Sequence, residues 1–452
     1  MGISNFPAAL QPLIQQGFLE REFQEALRSK LGYRMAADKM DFPIGIGETL
    51  TKTRPGLKSA VTTPLSASTN TNLDNGLTPT YESVEQYTIT INMYAATTDL
   101  NMVTTRVGIE GQFLLNAALN AEQAGRSLDD LARNALFGSY LGGNTRVTTT
   151  LGSAGVTVHV DDIRGFMYVF GFSGLGSIAS GSQSATQLTV SATNTLLCTV
   201  GSNTYTLTGA AADTVNTSTA PSGISGNLTF ATSVTVADGT AGNTVTAATA
   251  SSIIRPSGRT NTSLIQASDT LTMSNLLDAV ALLRKNAVPE IGGVYNCHLD
   301  PVSARQLFSD PDFKQLFQGA TSAAQVFKTG MTNDFLGLRF MPTTEAYVQA
   351  SPTVSGLNIR RPIIVGQGSL IEGNYAGMAA ADVAPADSIV SVIDSVAMVT
   401  REPLDRLQQI IAQSWYWIGG YTTPSDINTS STTIPTATNS AYKRAVVLEH
   451  AG

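Results

Sequence analysis

The sequence predicts an α+β protein whose mixed body is interrupted by an inserted all-β domain. Three observations carry this. Residues 105–137 hold a helical apolar stripe, with Ile109, Phe113, Ala117, Ala121, Ala124, Leu128 and Leu131 recurring at steps of three and four. Residues 168–258 shift sharply in composition: from Ser173 to Ile254 the only charged residues are Asp213 and Asp238. Short alternating runs there (LTVSA, LLCTV, TYTLT, LTFAT, SVTVA) are divided by turn residues, the pattern of a small β-sandwich or barrel. Residues 270–400 then mix helical and strand patterns, as in DTLTMSNLLDAVALLRKN and VYNCHLDP.

In chain order, residues 8–31 place Leu10, Leu13, Ile14, Phe18, Phe23 and Leu27 on one helical face and Glu20, Arg21, Glu22, Glu25 and Arg28 on the other. This predicts an amphipathic helix stopped at Gly32. Residues 41–97 read as a long β-hairpin. A polar tip around 58–80 separates FPIGIGETLTKTRP from a limb that alternates at Val84, Tyr87, Ile89, Ile91 and Met93. Limbs of about 15–18 residues would reach roughly 50–60 Å. A two-stranded ribbon of that length is barely stable alone and needs a surface to lie on. The helix over 105–137 is expected to stop at Gly138 or at Gly142-Gly143, its alanines permitting close packing. After the insertion come a helix capped by Asp269 or Thr270, a buried strand in VYNCHLDP and two short helices in PVSARQLFSDPDFKQLFQG. Strands follow in FLGLRFMP, RRPIIVGQGSLIEG and SIVSVIDSVAMVTREP, and YKRAVVLEH closes the chain.

Composition narrows the function classes. The chain has 452 residues, enough for several domains. Apolar residues make up 42%, whereas charged residues make up only 13%, about half the usual share. Neutral polar surface buried against other copies fits this balance. The net charge of −7 argues against sequence-independent nucleic-acid binding over the whole surface, which needs clustered Lys and Arg. Cys198 and Cys297 lie in segments of different character and predict no disulfide framework. The N-terminus carries no secretory pattern and no run reaches membrane-spanning length, so no membrane is expected.

The search for reaction chemistry finds no convergent set, and the chain is read as no enzyme, with no catalytic, cofactor or metal residues and no cofactor. The histidines are His159, His298 and His450. Cys297 and His298 adjoin on a strand, so their side chains face opposite ways and cannot share a metal ion. GQGS at 366–369 and GIGE at 45–48 lack the continuation of a phosphate loop. The carboxylate pairs Asp129-Asp130, Asp161-Asp162 and Asp310 with Asp312 read as caps or solvated groups, without the spacing of a calcium loop. Arg21, Arg28, Lys30, Arg34 and Lys39 form a mildly basic patch interleaved with glutamates.

This order of parts resembles the major capsid (coat) proteins of tailed bacteriophages with the Hong Kong 97 fold. VYNCHLDPVSARQLFSDPDFKQLFQGA followed by FLGLRFMPTTEAY resembles the core of that family's axial domain. PLDRLQQIIAQSWYWIGGYTTPSDI with the terminal AYKRAVVLEH resembles the closing strands of short-tailed-phage coat proteins. The resemblance implies an N-terminal arm over 1–41, an extended β-hairpin loop over 42–97 and a peripheral domain over 98–168 and 400–452 with spine helix 105–137. It further implies an inserted β-domain over 169–257 and an axial domain over 258–399. The function so implied is self-assembly into hexamers and pentamers of an icosahedral virion shell, built in the bacterial host cytoplasm and enclosing double-stranded DNA without sequence-specific binding. The implied partners are other copies of the chain, a portal protein and a cement protein. The hairpin begins near residue 42, which leaves no room for a long scaffolding segment, so a separate scaffolding protein is expected. Lys52 and Lys58 lie in the loop where some members cross-link, but no partner can be named and no cross-link is expected. The alternative is an encapsulin-like compartment shell, which shares this fold and would hold an enzyme cargo. A surface adhesin is disfavoured by the alanine-rich helix.

Overall fold

A computed structural model describes residues 32–42, 48–55, 84–101, 112–173, 184–220, 222–260, 262–313, 334–335, 337–351, 353–375, 390–401, 410–424 and 443–452. The helix expected over 8–31 and the hairpin tip at 58–80 lie outside them.

The described chain opens with a 3-10 turn at Tyr33–Ala36 and strand β1 (Ala37–Phe42). Strands β2 (Thr49–Pro55) and β3 (Val84–Thr90) form the expected hairpin, antiparallel from Thr49↔Thr90 to Pro55↔Val84. After Ile91 the second limb continues as β4 (Asn92–Asn101), which leaves the hairpin and pairs elsewhere. Helix α1 (Gln112–Tyr140) follows, 29 residues long. It runs through Gly138, because Arg164 occupies the space beside that glycine: a Cβ there would sit 2.8 Å from the Arg164 Nη1. The stop comes at Gly143, whose φ of +73° suits glycine.

The inserted domain begins earlier than its composition shows. Strands β5 (Asn144–Arg146) and β6 (Gly155–Val160) precede the charge-poor stretch yet belong to the domain's sheet. A separate hairpin, β7 (Tyr168–Ser173) with β8 (Ser184–Thr189), intervenes. The sheet resumes with β9 (Leu196–Val200), β10 (Asn203–Ala212), β11 (Gly226–Val234) and β12 (Thr244–Ala247), in the order β5-β12-β9-β10-β11-β6. The Val147↔Val160 bridge, with Thr148 N–H donating to His159 O at 3.0 Å, brings β6 back to the chain leaving β5 and closes a six-stranded barrel. Alternate residues fill its interior, among them Val158, Val160, Cys198, Val200, Leu207 and Phe230. The expected boundary at 169 therefore moves to about 144. Composition misleads there because β5 is the polar run Asn144–Arg146 and β6 buries only Val158 and Val160, so neither looks like the charge-poor stretch that follows.

The remaining elements are β13 (Ile253–Ile254), α2 (Met273–Lys285), β14 (Tyr295–Leu299), α3 (Pro301–Ser309), β15 (Asp334–Phe335), β16 (Leu338–Pro342), β17 (Val348–Ala350), β18 (Asn358–Arg360), β19 (Ile363–Val365), β20 (Leu370–Tyr375), β21 (Val390–Ile393), β22 (Val396–Arg401), β23 (Ile410–Thr422), β24 (Ala445–Leu448) and β25 (His450–Ala451). Helix α2 begins after Thr272, not after Asp269 or Thr270: Asn275 Oδ1 accepts from both the Thr272 amide and hydroxyl. Asp269 instead turns inward and accepts from Gln266 N, Ser257 and Arg259.

Two sheets organise the body. One has the order β13-β24-β19-β14-β16-β15. β14 is buried along its whole length because helices cover both faces. Cys297 points to the side of α2 and α3, packed with Leu276, Leu283 and Leu307. His298 points to the other side and stacks on Tyr33, their ring centroids 4.9 Å apart. There the C-terminal half of α1, through Leu136, Phe137 and Tyr140, meets Ile363, Val365 and Val447. The other sheet runs β1-β20-β23-β22-β21, with β4 along the free side of β23. Ala117, Ala121, Ala124 and Leu128 of α1 lie against its Trp415, Trp417, Val396 and Met398; small residues let the helix approach closely enough for the indoles to fill the gap. Strand pairing thus crosses the divisions expected from sequence. Strands β20 and β21, assigned with 258–399, belong to the sheet of β23. The terminal strand β24, assigned with 400–452, pairs with β19 and β13. Pairing between distant strands leaves no local mark in either segment.

Candidate assembly surfaces and buried clusters

The β2–β3 ribbon joins no third strand among the described residues. Its seven paired residues span about 23 Å. Its root lies where Glu48–Leu50 and Ile89–Ile91 meet the body. Ile89 is buried with Ile371, Met40 and Leu50, and Ile91 N–H donates to Glu48 O at 3.0 Å. The β3 backbone also presses on β23 at Gly420, where a Cβ would come 2.0 Å from Thr90 O.

Two further surfaces leave apolar groups in solvent. On α1, Leu115 and Leu119 lie one turn apart and are 58% and 52% exposed. On β4, Met93 is 65% exposed. Among the described residues β4 is itself an edge: it pairs with β23 from Asn92↔Gly419 to Asn101↔Ile410, while β22 and β20 occupy the opposite side of β23. A long edge strand is a ready template for another chain. No helix among the described residues is long and apolar enough to cross a membrane.

The groups singled out for chemistry are built into the fold. Asp129 is buried rather than solvated, and its Oδ1 accepts the N–H groups of Gly32, Tyr33 and Arg34 at 2.9, 2.5 and 3.1 Å. Burial pushes its carboxyl up while those donors hold it down, and burial wins. Asp130 is half-exposed and pairs with Arg133 at 2.8 Å. Arg34 is no part of a basic patch. It is buried, bidentate on Glu372 at 2.9 and 2.6 Å, and donates to Asp394 O at 3.0 Å; Lys39 meets the Asp394 carboxylate at 2.6 Å. Arg21, Arg28, Lys30 and Lys58 lie outside the described residues, and Lys52 lies on β2. Asp162 is bidentate on Arg164, and Asp161 accepts from Thr219 N and Gln349 Nε2 at 2.8 and 3.0 Å. Asp310 accepts from Met273 N at 2.8 Å, so it caps α2 from the end of α3.

The two charges of the charge-poor stretch 173–254 are equally committed. Asp238 accepts from Tyr205 Oη at 2.6 Å and from Asn203, Ser202 and Thr235; burial opposes its ionisation, but these donors hold the carboxyl down to about 2. Asp213 meets His159 Nε2 at 2.8 Å. One grouping was missed in the sequence. Ser303 Oγ lies between the Asp300 carboxylate and His450 Nε2, the latter at 2.7 Å. The order differs from that of a nucleophilic triad, in which the imidazole stands in the middle. Ser303 and His450 are fully buried, and Asp300 also caps α3 and binds Arg360. The arrangement ties β25 to the start of α3. Nothing local marks it, since Ser303 and His450 stand 147 positions apart.

No family model matches this sequence, and no curated protein does. Solved structures do. The solved structures to which the fold is similar are bacteriophage capsids. The capsid of Ralstonia phage GP4 is 10% identical, with 93% of this chain and 91% of that chain covered and a TM-score of 0.46. The cyanophage Pam1 capsid asymmetric unit is 11% identical, covering 89% and 85%, with a TM-score of 0.46. The cyanophage P-SCSP1u capsid is 10% identical, covering 91% and 86%, with a TM-score of 0.42.

Proposed function

We propose that this chain is the major capsid protein of a tailed bacteriophage, a non-enzymatic subunit that assembles with its own copies into a closed virion shell. The observation that carries this is the β2–β3 ribbon, rooted at Ile89 and paired with no third strand among the described residues. A two-stranded ribbon gains little stability alone, so its sequence is better explained by a neighbouring subunit on which it lies. The exposed pair Leu115 and Leu119 on α1 and the open edge of β4 supply further contact surface of the same kind. In this reading the ribbon is the extended loop, α1 the spine helix and the barrel an outward decoration. Copies form hexamers and pentamers around double-stranded DNA, with a separate scaffolding protein, a portal and a cement protein as assembly partners.

The test is electron microscopy of the purified chain, alone and with its scaffolding partner. Closed shells with icosahedral symmetry are the expected product. A chain that stays monomeric under both conditions and gains no order with its partner sinks the proposal. The ratio of absorbance at 260 and 280 nm of native particles separates a DNA-filled virion from an encapsulin-like shell with protein cargo.

A further inference from the structure

A cavity of about 40 Å³ lies where the barrel, the end of α1 and the chain around β24 and β25 meet. Arg146, Arg164, Arg255 and Arg361 line it together with Asp161, Asp162 and Glu449. Arg164 is bidentate on Asp162. Arg255 and Arg361 share Glu449, one on each oxygen, both at 2.8 Å. Arg146 faces Asp161 at 3.6 Å and donates through Nη1 to Ala350 O at 3.1 Å and through Nη2 to Thr219 Oγ1 at 3.0 Å, while Asp161 is itself already occupied by Thr219 and Gln349. Among the described residues that line the cavity, four guanidinium groups face three carboxylates, an excess of one positive charge. The Arg361 side chain is only 5% exposed, and its buried Nη1 has no hydrogen-bond partner among the described residues. A buried charge without a counter-charge and a buried donor without an acceptor are both costly.

We propose that this cavity binds one small monovalent anion of the halide class, held between Arg361 Nη1 and Arg146. The volume admits a few waters or one such ion. Bound there, the anion joins the barrel to the body, since Arg146 ends β5 and Arg361 precedes β19. The site does not depend on whether the chain forms a shell.

The test is thermal unfolding of the full chain, desalted into sodium gluconate, with chloride replacing gluconate at constant ionic strength and pH. The Tm is expected to climb with the logarithm of chloride concentration across roughly a hundredfold range. Arg146→Gln balances the cluster and is expected to abolish that dependence. Identical Tm values in the two salts mean that water alone fills the cavity and overturn the proposal, as does an undiminished chloride dependence in the variant. Should Arg146→Gln not fold, bromide exchanged into crystals of the wild-type chain decides: an anomalous peak at Arg361 Nη1 supports the site, and its absence there overturns it.

Discussion

Asp129 shows how much one side chain can organise. It stands inside α1, yet its partners are the amides of Gly32, Tyr33 and Arg34, nearly a hundred positions earlier. Consecutive N–H groups at the start of a helical turn attract an anion, and here the anion comes from a neighbouring helix. Asp129→Ala leaves these donors without an acceptor and is expected to cost about 3 kcal/mol or more, read from the urea midpoint of the unassembled chain. Asp129→Asn keeps an acceptor and should recover part of the loss. His298 makes a second case. Burial lowers its pKa to about 4 from 6.5, and neither ring nitrogen has a partner among the described residues. Between those values the unfolded chain takes up a proton that the folded chain refuses. Stability therefore falls as pH drops from 6.5 towards 4, by at most about 3 kcal/mol from this group. His298→Phe preserves a ring on Tyr33 and is expected to flatten the fall in Tm between pH 7 and pH 5; an unchanged slope would show that His298 does not drive it.

At the scale of elements, the ribbon and β23 illustrate how backbone contact decides where a strand goes. Gly420 lies where β3 crosses β23, and its missing Cβ is what admits Thr90 O. Gly420→Ala forces backbone from backbone, since no flexible side chain is there to yield. The expected cost is about 3 kcal/mol, the upper range for overpacking, together with faster proteolytic cleavage of the ribbon after Thr90 is pushed away. A variant with wild-type stability and wild-type cleavage would mean that this contact does not hold the root. Helix α1 makes the complementary point. Its alanine face was readable as a close-packing surface, but its passage through Gly138 follows from Arg164, held in place by Asp162 on a different segment.

For the whole molecule, the barrel is an insertion with adjacent ends. Ala247 N–H donates to Gly143 O at 2.7 Å, and Asn144 Nδ2 donates to Ser251 O at 3.1 Å. Replacing residues 144–250 by a two- or three-residue glycine linker is therefore expected to leave a folded body, seen as a cooperative melt and a monodisperse profile. Removing 173–254 instead strands β5 and β6 without their sheet partners and is expected to give aggregates. The opposite ranking of the two deletions would refute the barrel's boundaries. A shell that still forms from the first deletion assigns the barrel a role outside assembly.

By itself the sequence determined the α+β class, the helix of α1, the alternation of the ribbon limbs, the charge-poor β insertion and the separation of Cys297 from His298. Each of these is written in local periodicity or composition, because a helix or strand repeats its burial every few residues. The tertiary structure alone decided that the insertion closes as a barrel starting at Asn144, that β20 and β24 exchange the sheets expected for them, and that Arg34, Asp129 and the Ser303–His450 contact are buried joints. These depend on contacts between residues far apart in the chain, and such contacts leave no periodic trace. The same limit applies to the proposed shell: the ribbon's need for a partner is visible in its pattern, whereas the surface that meets it belongs to another copy.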